Sequence, residues 1–369
     1  MKRREFLKGT SAGLAAGAAT MAAPGAFAET NSPRLRWRLA ASWPISLDTV
    51  YGGVKAFAER VGELTGGRFQ IHVYAGGEIV GGLQVLDAVQ QNTVEMGHTC
   101  SYYYIGKMPS LAFDTTLPFG MTYRQQNSWQ TYGGGNELLN KEVFSQFNIV
   151  SIPAGNTGTQ MGGWFRKPLE GLHSLNGLKM RIPGFGGKVM AKLGVNVQTL
   201  AGAEIYPALE RGVIDATEWI GPYDDKKLGF YRVAKNYYFP SWWEPSTQFS
   251  LMINKSRWDK LPKEYKAAVQ TAAAETNVRM MAHYDSVNPK ALKELLAAGV
   301  KLHKFPNDIM QAAQKNAFEI YDDLASKDPV WKKIYPHWKK YRDMEYAWFN
   351  VAEQGFASFA FPQVPDSAL

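Results

Sequence analysis

The chain has 369 residues, of which 45% are hydrophobic and 20% are charged, and its formal net charge is +8. The basic residues are scattered, without the clustered stripe that is typical of a nucleic-acid-binding protein. Cys100 is the one cysteine, so the chain cannot form an internal disulfide, and we expect this side chain to be small and buried. Composition therefore argues against a nucleic-acid-binding protein and against a small disulfide-rich domain.

Residues 1–28 have the pattern of an export signal. Arg3 and Arg4 form a twin-arginine pair, a weakly apolar stretch follows, and Ala26–Phe27–Ala28 is an A-x-A cleavage site. A membrane anchor is the alternative, but the segment is short and rich in Gly, Ala and Thr. We predict removal of a twin-arginine signal peptide, which would leave a net charge near +5 because four basic residues and one acidic residue lie within it.

Predicted strands and helices alternate through the next part of the chain. Leu35, Trp37 and Leu39 alternate with arginines as in a strand, and a helix follows over 49–64 with Asp48 as its cap. Strand 68–74, helix 83–91 and strand 94–99 come next, and 102–104 then form a loop. Such alternation predicts an α/β fold with a largely parallel sheet.

Roughly 340 residues exceed one ordinary core, so we expect two lobes joined by crossing strands. Strand 148–153 belongs to the first lobe, strand 161–165 crosses into the second, and 248–254 returns. Helices 262–298, 308–325 and 330–357 follow, with strand 300–304 between the first two, and Pro336 kinks or begins the last helix. The predicted boundaries are 34–153 with a return near 248–300 for lobe I, 154–247 for lobe II, and 305–369 for C-terminal helices.

The stretch 177–219 predicts strand, helix, strand, helix, strand. Leu178, Met180 and Ile182 are the apolar face of a strand that Pro183 ends just after Arg181. The second helix, 203–211, contains Pro207, which is tolerable only in the first turn. The last strand runs into Glu218 and Trp219, so a carboxylate and a guanidinium should lie at neighbouring strand ends, where ligands of open α/β sheets bind.

Arg181 is the first candidate for ligand contact. A guanidinium can hold a carboxylate by two parallel hydrogen bonds, which a lysine cannot do. The alternative is a strand arginine that pairs with a surface acid.

Several separated motifs carry a family resemblance. In chain order, the SWP near Trp43, GLKMRIPG, LGVNVQTLAGAEIYPALERGVIDATEW and SLMINKSRWDKLPKEYKAAV resemble the solute receptors of tripartite ATP-independent periplasmic (TRAP) transporters. The likeness covers nearly all of the chain after the signal. The spacing of Gln160, Arg181, Glu218–Trp219 and Glu244 is most similar to the branch that binds 2-oxo acids with a metal cation.

The resemblance implies a metal site made by Gln160, Glu218, Trp219 through its carbonyl, and Glu244. Two carboxylates and two neutral oxygens suit a hard cation such as sodium or calcium. Two acids in a half-buried cleft would repel each other and an anionic ligand, and a cation would offset that repulsion. The alternative is that the two glutamates are separate surface acids.

Weaker candidates surround this set. Asn156 lies in a Gly/Thr loop and could donate to a ligand oxygen, as could the hydroxyl of Tyr103, although the run 102–104 does not show which tyrosine faces the cleft. Core packing is the alternative for each tyrosine. Aromatic residues that could wall the pocket are Trp43, Phe119, Trp242 and Trp243.

Enzyme motifs are poorly supported. The six histidines are far apart, without H-E-x-x-H spacing, and GFGGKV at 184–189 fits neither a phosphate loop nor G-x-G-x-x-G. The resemblance therefore implies a receptor and not an enzyme: a two-lobed periplasmic binding protein fold with a cleft between the lobes and a long C-terminal helix. It implies a periplasmic protein that delivers a pyruvate-like 2-oxo monocarboxylate to TRAP membrane subunits.

Two alternative functions remain open, and the sequence also predicts an oligomeric state. The same fold could bind lactate, a dicarboxylate or another organic acid, or the chain could be an exported enzyme with a cofactor. The C-terminal helix is dense in aromatic residues, more than one amphipathic face usually keeps, and we expect it to form a homodimer interface. Its aromatic residues are Trp331, Tyr335, Trp338, Tyr341, Tyr346, Trp348 and Phe349.

Overall fold

Strands of the computed structural model, which describes residues 32–363, form two sheets. In that range they are Leu35–Ala41 (β1), Phe69–Tyr74 (β2), Met96–Thr99 (β3), Ile149–Asn156 (β4), Trp164–Phe165 (β5), Lys179–Arg181 (β6), Asn196–Gln198 (β7), Ala216–Thr217 (β8), Asn236–Phe239 (β9), Gln248–Asn254 (β10) and Lys301–Lys304 (β11). The first sheet has the order β2-β1-β3-β10-β4 and the second β11-β9-β5-β8-β6-β7. The predicted signal peptide lies outside the described residues.

Helices connect these strands and end the described chain. They are Val50–Leu64 (α1), Val85–Gln90 (α2), Ala112–Thr115 (α3), Tyr123–Thr131 (α4), Gly135–Glu142 (α5), Gly184–Lys192 (α6), Gly202–Glu210 (α7), Pro222–Leu228 (α8), Lys255–Asp259 (α9), Lys263–Ala297 (α10), Asn307–Lys327 (α11), Pro329–Phe349 (α12) and Gly355–Ala360 (α13). The predicted α/β fold with a long C-terminal helix is confirmed. None of the helices in 32–363 has the length and apolar character needed to cross a membrane.

Both sheets are mixed, so the prediction of a largely parallel sheet is wrong. In the first sheet β1 runs parallel to β2 and β3, but β10 is antiparallel to β3 and β4. In the second, β8, β6 and β7 are parallel, while β5 is antiparallel to β8 and β9. The antiparallel strands β4, β5 and β10 lie next to the segments where the chain passes between the sheets. The local pattern of apolar residues does not show the direction of such strands relative to their neighbours.

The chain passes between the sheets three times, through two short connecting segments and through the long passage from β10 by way of α9 and α10 to β11. Residues 157–163 lead from β4 to β5, and residues 240–247 lead from β9 back to β10. The 35-residue α10, about 50 Å long at 1.5 Å per residue, contacts β4 and α1 beside the first sheet and α8 beside the second. From Leu35 onward the chain is one compact unit, and the residue boundaries of the lobes stay a prediction.

Two local predictions fail, and one of the two alternatives for Pro336 is excluded. Asp48 does not cap α1: the N-cap is Thr49, and the Asp48 carboxylate instead accepts hydrogen bonds from Tyr223 Oη, at 3.0 Å, and Lys227 Nζ. Pro207 is the sixth residue of α7, beyond the first turn, so the helix tolerates one missing N–H donor there. Pro336 lies inside α12 and does not begin it.

The C-terminal segment is divided between a buried and an exposed part. Trp331, Tyr335 and Trp338 pack against Phe113, Phe185 and Tyr321 of the same chain, so these aromatic residues are not surface, contrary to the prediction. The predicted helix over 330–357 is interrupted by a π-helical turn at Asn350–Gln354. Exposed apolar side chains follow α12 or lie at its end: Trp348, Val351, Phe356, Phe359 and Phe361.

Candidate functional site

A small cavity lies where the ends of both sheets meet the two connecting segments. Its empty volume is about 220 Å³. The residues after β1, after β3 and at the start of β10 contribute one side, and the ends of β6 and β8 contribute the other. The lining includes Trp43, Tyr102, Tyr103, Gln160, Arg181 and Trp219, with Cys100, Ile220, Thr247 and Phe249.

Arg181 and Glu218 come together because β6 and β8 are parallel neighbours. Arg181 is the last residue of β6 and is in register with Thr217, the last residue of β8. Glu218 directly follows Thr217, so it lies just beyond the same end of the two strands. Arg181 Nη1 donates to the Glu218 carboxylate and, at 3.0 Å, to the Glu218 carbonyl. Both side chains are about 1% exposed. The predicted proximity of the two strand ends is confirmed.

The guanidinium has donors to spare on one nitrogen. Its Nε donates to the Leu200 carbonyl at 3.1 Å, and Nη1 is used by Glu218, but the buried Nη2 has no partner among residues 32–363. A carboxylate can therefore receive bonds from Nη2, while a fork that also used Nη1 would require a rearranged Glu218 contact. This restricts the two-bond fork that the sequence suggested for Arg181.

Two buried glutamates lie beside this arginine. Burial raises the pKa of Glu218 well above its usual value, and the nearby Glu244 carboxylate adds to the effect, while Arg181 opposes it. Burial also raises the pKa of Glu244 to about 7, although Thr247 and Arg181 favour its charged form. The two acids are thus not the separate surface residues of the alternative interpretation. Buried carboxylates that repel each other are a place where a cation would be stabilised.

Gln160 and Glu244 belong to the two connecting segments and are linked by Thr247. Gln160 Nε2 donates to Thr247 Oγ1 at 2.7 Å, and Thr247 Oγ1 donates to Glu244 Oε2 at 2.7 Å. Tyr102 Oη also donates to Glu244 Oε2, at 3.3 Å. Gln160 Oε1 is buried and has no hydrogen-bond partner in the protein. Sequence reasoning missed Thr247, whose only signal was its position three residues after Glu244 in a predicted corner.

The Trp219 ring closes the cavity from the second sheet. It lies 5.4 Å from the Arg181 guanidinium carbon, measured to the ring centroid, and meets Trp43 edge to face. The ring tip packs on Gly202 so closely that a Cβ there would lie 2.6 Å from it. Trp43 is in turn held by a 2.7 Å hydrogen bond from its indole nitrogen to His98 Nδ1.

The tyrosines 102–104 form a short 3₁₀ helix, Ser101–Tyr104, and not a loop. Tyr102 and Tyr103 line the cavity, so the uncertainty about which tyrosine faces it is largely resolved. Tyr104 points elsewhere: its hydroxyl accepts from the Leu86 N–H at 3.2 Å and lies 3.0 Å from Thr99 Oγ1. The burial of Tyr102 raises the pKa of its phenol, which keeps it a neutral donor.

Asn156 does not reach the cavity. Its Nδ2 donates to Asn277 Oδ1 on α10 at 2.7 Å, and its Oδ1 accepts from the Gly158 N–H at 2.9 Å. Among the aromatic residues predicted as walls, Trp43 lines the cavity. Phe119 does not line it, and its ring stacks on that of Trp242 with 5.3 Å between the ring centroids. The structure thus brings together Tyr103, Gln160, Arg181, Glu218, Trp219 and Glu244.

The oxygen atoms of this group fit a hard cation better than a transition metal. Within 32–363, no three His, Cys, Asp or Glu side chains are grouped as a metal site. The two glutamates and Gln160 offer oxygen only, which suits sodium or calcium and not zinc or copper. Two of these oxygens, Gln160 Oε1 and Glu218 Oε2, are buried and have no donor in the protein.

Comparisons with known proteins agree with this arrangement. A monocarboxylate 2-oxoacid-binding periplasmic protein of Nostoc sp. PCC 7120 is 50% identical over 98% of this chain and 99% of its own length. A TRAP transporter solute-binding protein of Bordetella bronchiseptica is 48% identical, with a TM-score of 0.88 over 90% of this chain and 98% of that one. It is a mixed-occupancy dimer whose occupied site holds copurified calcium and picolinate.

A TRAP periplasmic solute-binding protein of Pseudoalteromonas atlantica, with bound sodium and pyruvate, is 38% identical. Its TM-score is 0.85, over 88% of this chain and 99% of that one. Residues 40–328 match the family described as bacterial extracellular solute-binding protein, family 7. Members of this family are receptors and not enzymes, so the cofactor-enzyme alternative is excluded. This chain belongs to that family and is a solute receptor of a TRAP transporter.

Proposed function

We propose that this receptor binds a small 2-oxo monocarboxylate of about the size of pyruvate together with a sodium or calcium ion. One observation carries the proposal. Among the described residues around the cavity, the buried atoms without partners include, besides the indole nitrogen of Trp219, two acceptors, Gln160 Oε1 and Glu218 Oε2, and one charged donor, Arg181 Nη2. Buried polar atoms are normally paired, and these three would be satisfied by one cation and one carboxylate bound side by side.

Charge supports a monocarboxylate over a dicarboxylate. Among the described residues that line the cavity, Arg181 is the one that carries a positive charge. A second ligand carboxylate would face Trp43, Tyr103 or Phe249, without a cation to offset its desolvation.

The proposed cation ligands are the side-chain oxygens of Gln160, Glu218 and Glu244 and the carbonyl of Trp219. Arg181 and the Tyr103 hydroxyl are the proposed ligand donors, and Tyr102 joins them through Glu244. Asn156 is left out, because Asn277 and Gly158 already occupy its amide. The calcium–picolinate and sodium–pyruvate complexes of the relatives support a cation next to an organic acid.

The titration of pyruvate by calorimetry tests the proposal. Protein treated with chelator in a sodium-free buffer should bind pyruvate weakly, and added sodium or calcium should restore affinity. Lactate, which lacks the 2-oxo oxygen, and a dicarboxylate should bind more weakly than pyruvate under both conditions. Equal pyruvate affinity with and without the cation would contradict the cation site, and preference for a dicarboxylate would contradict the ligand class.

We further propose the setting of the receptor. The twin-arginine pattern in 1–28 and the periplasmic relatives support export to the periplasm. The closed complex would then deliver its ligand to the membrane subunits of a TRAP transporter, as the family implies. The exposed apolar residues after α12 and the dimer of the Bordetella relative support a homodimer.

A further inference from the structure

The side-chain amide of Gln160 is held by two threonines, one from each connecting segment. Its Nε2 lies 2.7 Å from Thr247 Oγ1 and 3.2 Å from Thr157 Oγ1. The same threonines join the segments, because the Thr247 N–H donates to Thr157 Oγ1 at 3.0 Å and the Thr157 N–H donates to the Thr247 carbonyl at 3.1 Å. All three side chains are about 2% exposed or less.

The protons of both threonine hydroxyls are committed elsewhere. Thr247 Oγ1 lies 2.7 Å from Glu244 Oε2, and a Glu244 that holds a cation is deprotonated and only accepts hydrogen bonds, so this hydroxyl donates to it. Thr157 Oγ1 donates to the Gly158 carbonyl at 3.0 Å. Each hydroxyl therefore turns a lone pair, and not a proton, toward Gln160.

The orientation of the Gln160 amide follows. An amide has one donor end and one acceptor end, and only the NH₂ end can bond to two lone pairs. A flipped amide would place Oε1 against two acceptors and leave the NH₂ group buried without a partner, which is costly. Oε1 is therefore the end left free, and it is indeed buried without a partner in the protein.

We propose that Thr247 is a positioning residue for the cation. Its single hydroxyl fixes the orientation of both the carbonyl end of Gln160 and one oxygen of Glu244. This inference rests on the proposed function, because it assumes that both residues face a cation. Hydrogen bonds behind a ligand atom set its orientation, and their loss typically lowers metal affinity about ten- to a hundredfold. Thr247 lies in the connecting segment 240–247, so the orientation of the Gln160 amide also depends on the position of that segment between the sheets.

Thr247→Val and Thr247→Ser test the proposal. Valine keeps the branched shape without the hydroxyl, so sodium or calcium affinity, measured through pyruvate binding at several cation concentrations, should fall about ten- to a hundredfold. Serine restores the hydroxyl and should stay within about threefold of wild type on the same reasoning. Ser246→Ala is the matched control, since the neighbouring Ser246 Oγ is buried without a partner, and it should leave cation affinity unchanged.

The outcomes separate this inference from the proposed function. A wild type without cation dependence overturns the proposed function itself. A cation-dependent wild type with a folded Thr247→Val variant of equal cation affinity overturns only the role of Thr247, as does a loss that serine fails to rescue. Neutron diffraction of the wild type supplies a test independent of variant folding: both deuterons of Gln160 Nε2 should face Thr157 and Thr247, and deuterons facing the cavity would overturn the proposal.

Discussion

Arg181 Nη1 donates to both the side chain and the main-chain carbonyl of Glu218, and this ion pair is almost fully buried. A buried pair of this kind gives little net stability, since desolvation offsets the attraction, but removal of one partner is strongly destabilising. Arg181 therefore has two roles that a mutation must separate, holding Glu218 in place and presenting Nη2 to the cavity.

Arg181→Lys should keep the charge beside Glu218 but weaken acid binding about ten- to a hundredfold. One ammonium cannot serve the Glu218 and Leu200 carbonyls, the Glu218 carboxylate and a ligand at once, and a hydrogen bond to a charged group contributes about 1.5–3 kcal/mol. Calorimetry with pyruvate measures the loss, and Arg279→Lys on the exposed face of α10 is the control. An affinity within threefold of wild type would remove Arg181 from the ligand site.

Arg181→Ala should also destabilise the protein, by about 3–5 kcal/mol, because the Glu218 carboxylate loses its buried partner. Chemical denaturation should show the difference between alanine and lysine at this position. Equal stability of Arg181→Ala and wild type would mean that Glu218 is not held by the ion pair.

The strand-end logic of the sequence found the centre of the site for a physical reason. Adjacent parallel strands end at one sheet edge, so Arg181 after β6 and Glu218 after β8 had to be neighbours once both strands were recognised. The alternation of apolar residues is a local signal, and it was sufficient for β6. The order of the strands in each sheet was harder to predict, because pairing between strands that are distant in sequence, such as β3 and β10, produces no local sequence pattern.

Side-chain partners were the least predictable feature. Asn156 is close to Gln160 in sequence, yet β4 turns its amide toward Asn277, 121 residues away. Asp48 stands where a helix cap belongs, yet Tyr223 and Lys227 bind it across to α8. Polar side chains can be satisfied by any nearby donor in the fold, so their partners depend on tertiary contacts that a spacing pattern does not contain.

The exposed part of the C-terminal segment, and not the buried part of α12, should form the dimer. Trp331 and Trp338 fill the core of their own chain, so a truncation before them would disturb folding. Phe356 and Phe359, 67% and 75% exposed, are available. The double variant Phe356→Asp/Phe359→Asp should be a monomer by light scattering, because two carboxylates would have to be desolvated in an apolar contact.

Tyr132→Asp is the matched control for the dimer, since Tyr132 is 91% exposed in a different part of the chain. It should have the same mass in solution as the wild type. A dimeric Phe356→Asp/Phe359→Asp variant would show that the interface lies elsewhere.

Asp225 should contribute a fall in stability as the pH rises from about 4 to about 7. Burial raises the pKa of Asp225 to about 7 from 3.8, against the hydrogen bonds that Tyr237 and Trp164 donate to it. In this window the folded chain keeps a proton that the unfolded chain has lost, so folding is penalised by about 1.4 kcal/mol per pH unit at most. Above about pH 7 this contribution to the slope ends.

Asp225→Asn removes the titrating group and should flatten the slope of unfolding free energy between pH 5 and 7. Urea unfolding at several pH values measures it, and Asp259→Asn, an exposed aspartate, is the control that should keep the wild-type slope. The asparagine variant is also expected to be less stable overall, since its NH₂ end would face either the donors of Tyr237 and Trp164 or the N–H of Ile220. Identical slopes for wild type and Asp225→Asn would contradict a buried, proton-retaining Asp225.

Glu218→Gln and Glu244→Gln should weaken the cation and the acid together. With both glutamates ionised, an anionic ligand beside them and one arginine would face net repulsion, and one unit charge pair about 4 Å apart is worth roughly 4 kcal/mol at an effective dielectric near 20. A bound cation reverses the sign of that field, so each glutamine should reduce both affinities. Because the coupling is reciprocal, the factor by which the cation raises acid affinity should fall by as much as the factor by which the acid raises cation affinity. Trp219→Phe should have only a small effect on cation affinity, since the proposed ligand is the main-chain carbonyl of residue 219.

Glu95→Gln is the control that should leave acid binding unchanged, because Glu95 is paired with Arg38 in the first sheet. The ratio of pyruvate affinity with and without cation is the decisive measurement. If either glutamine variant loses acid affinity while keeping the wild-type ratio, the carboxylate acts through Arg181 and not through a cation.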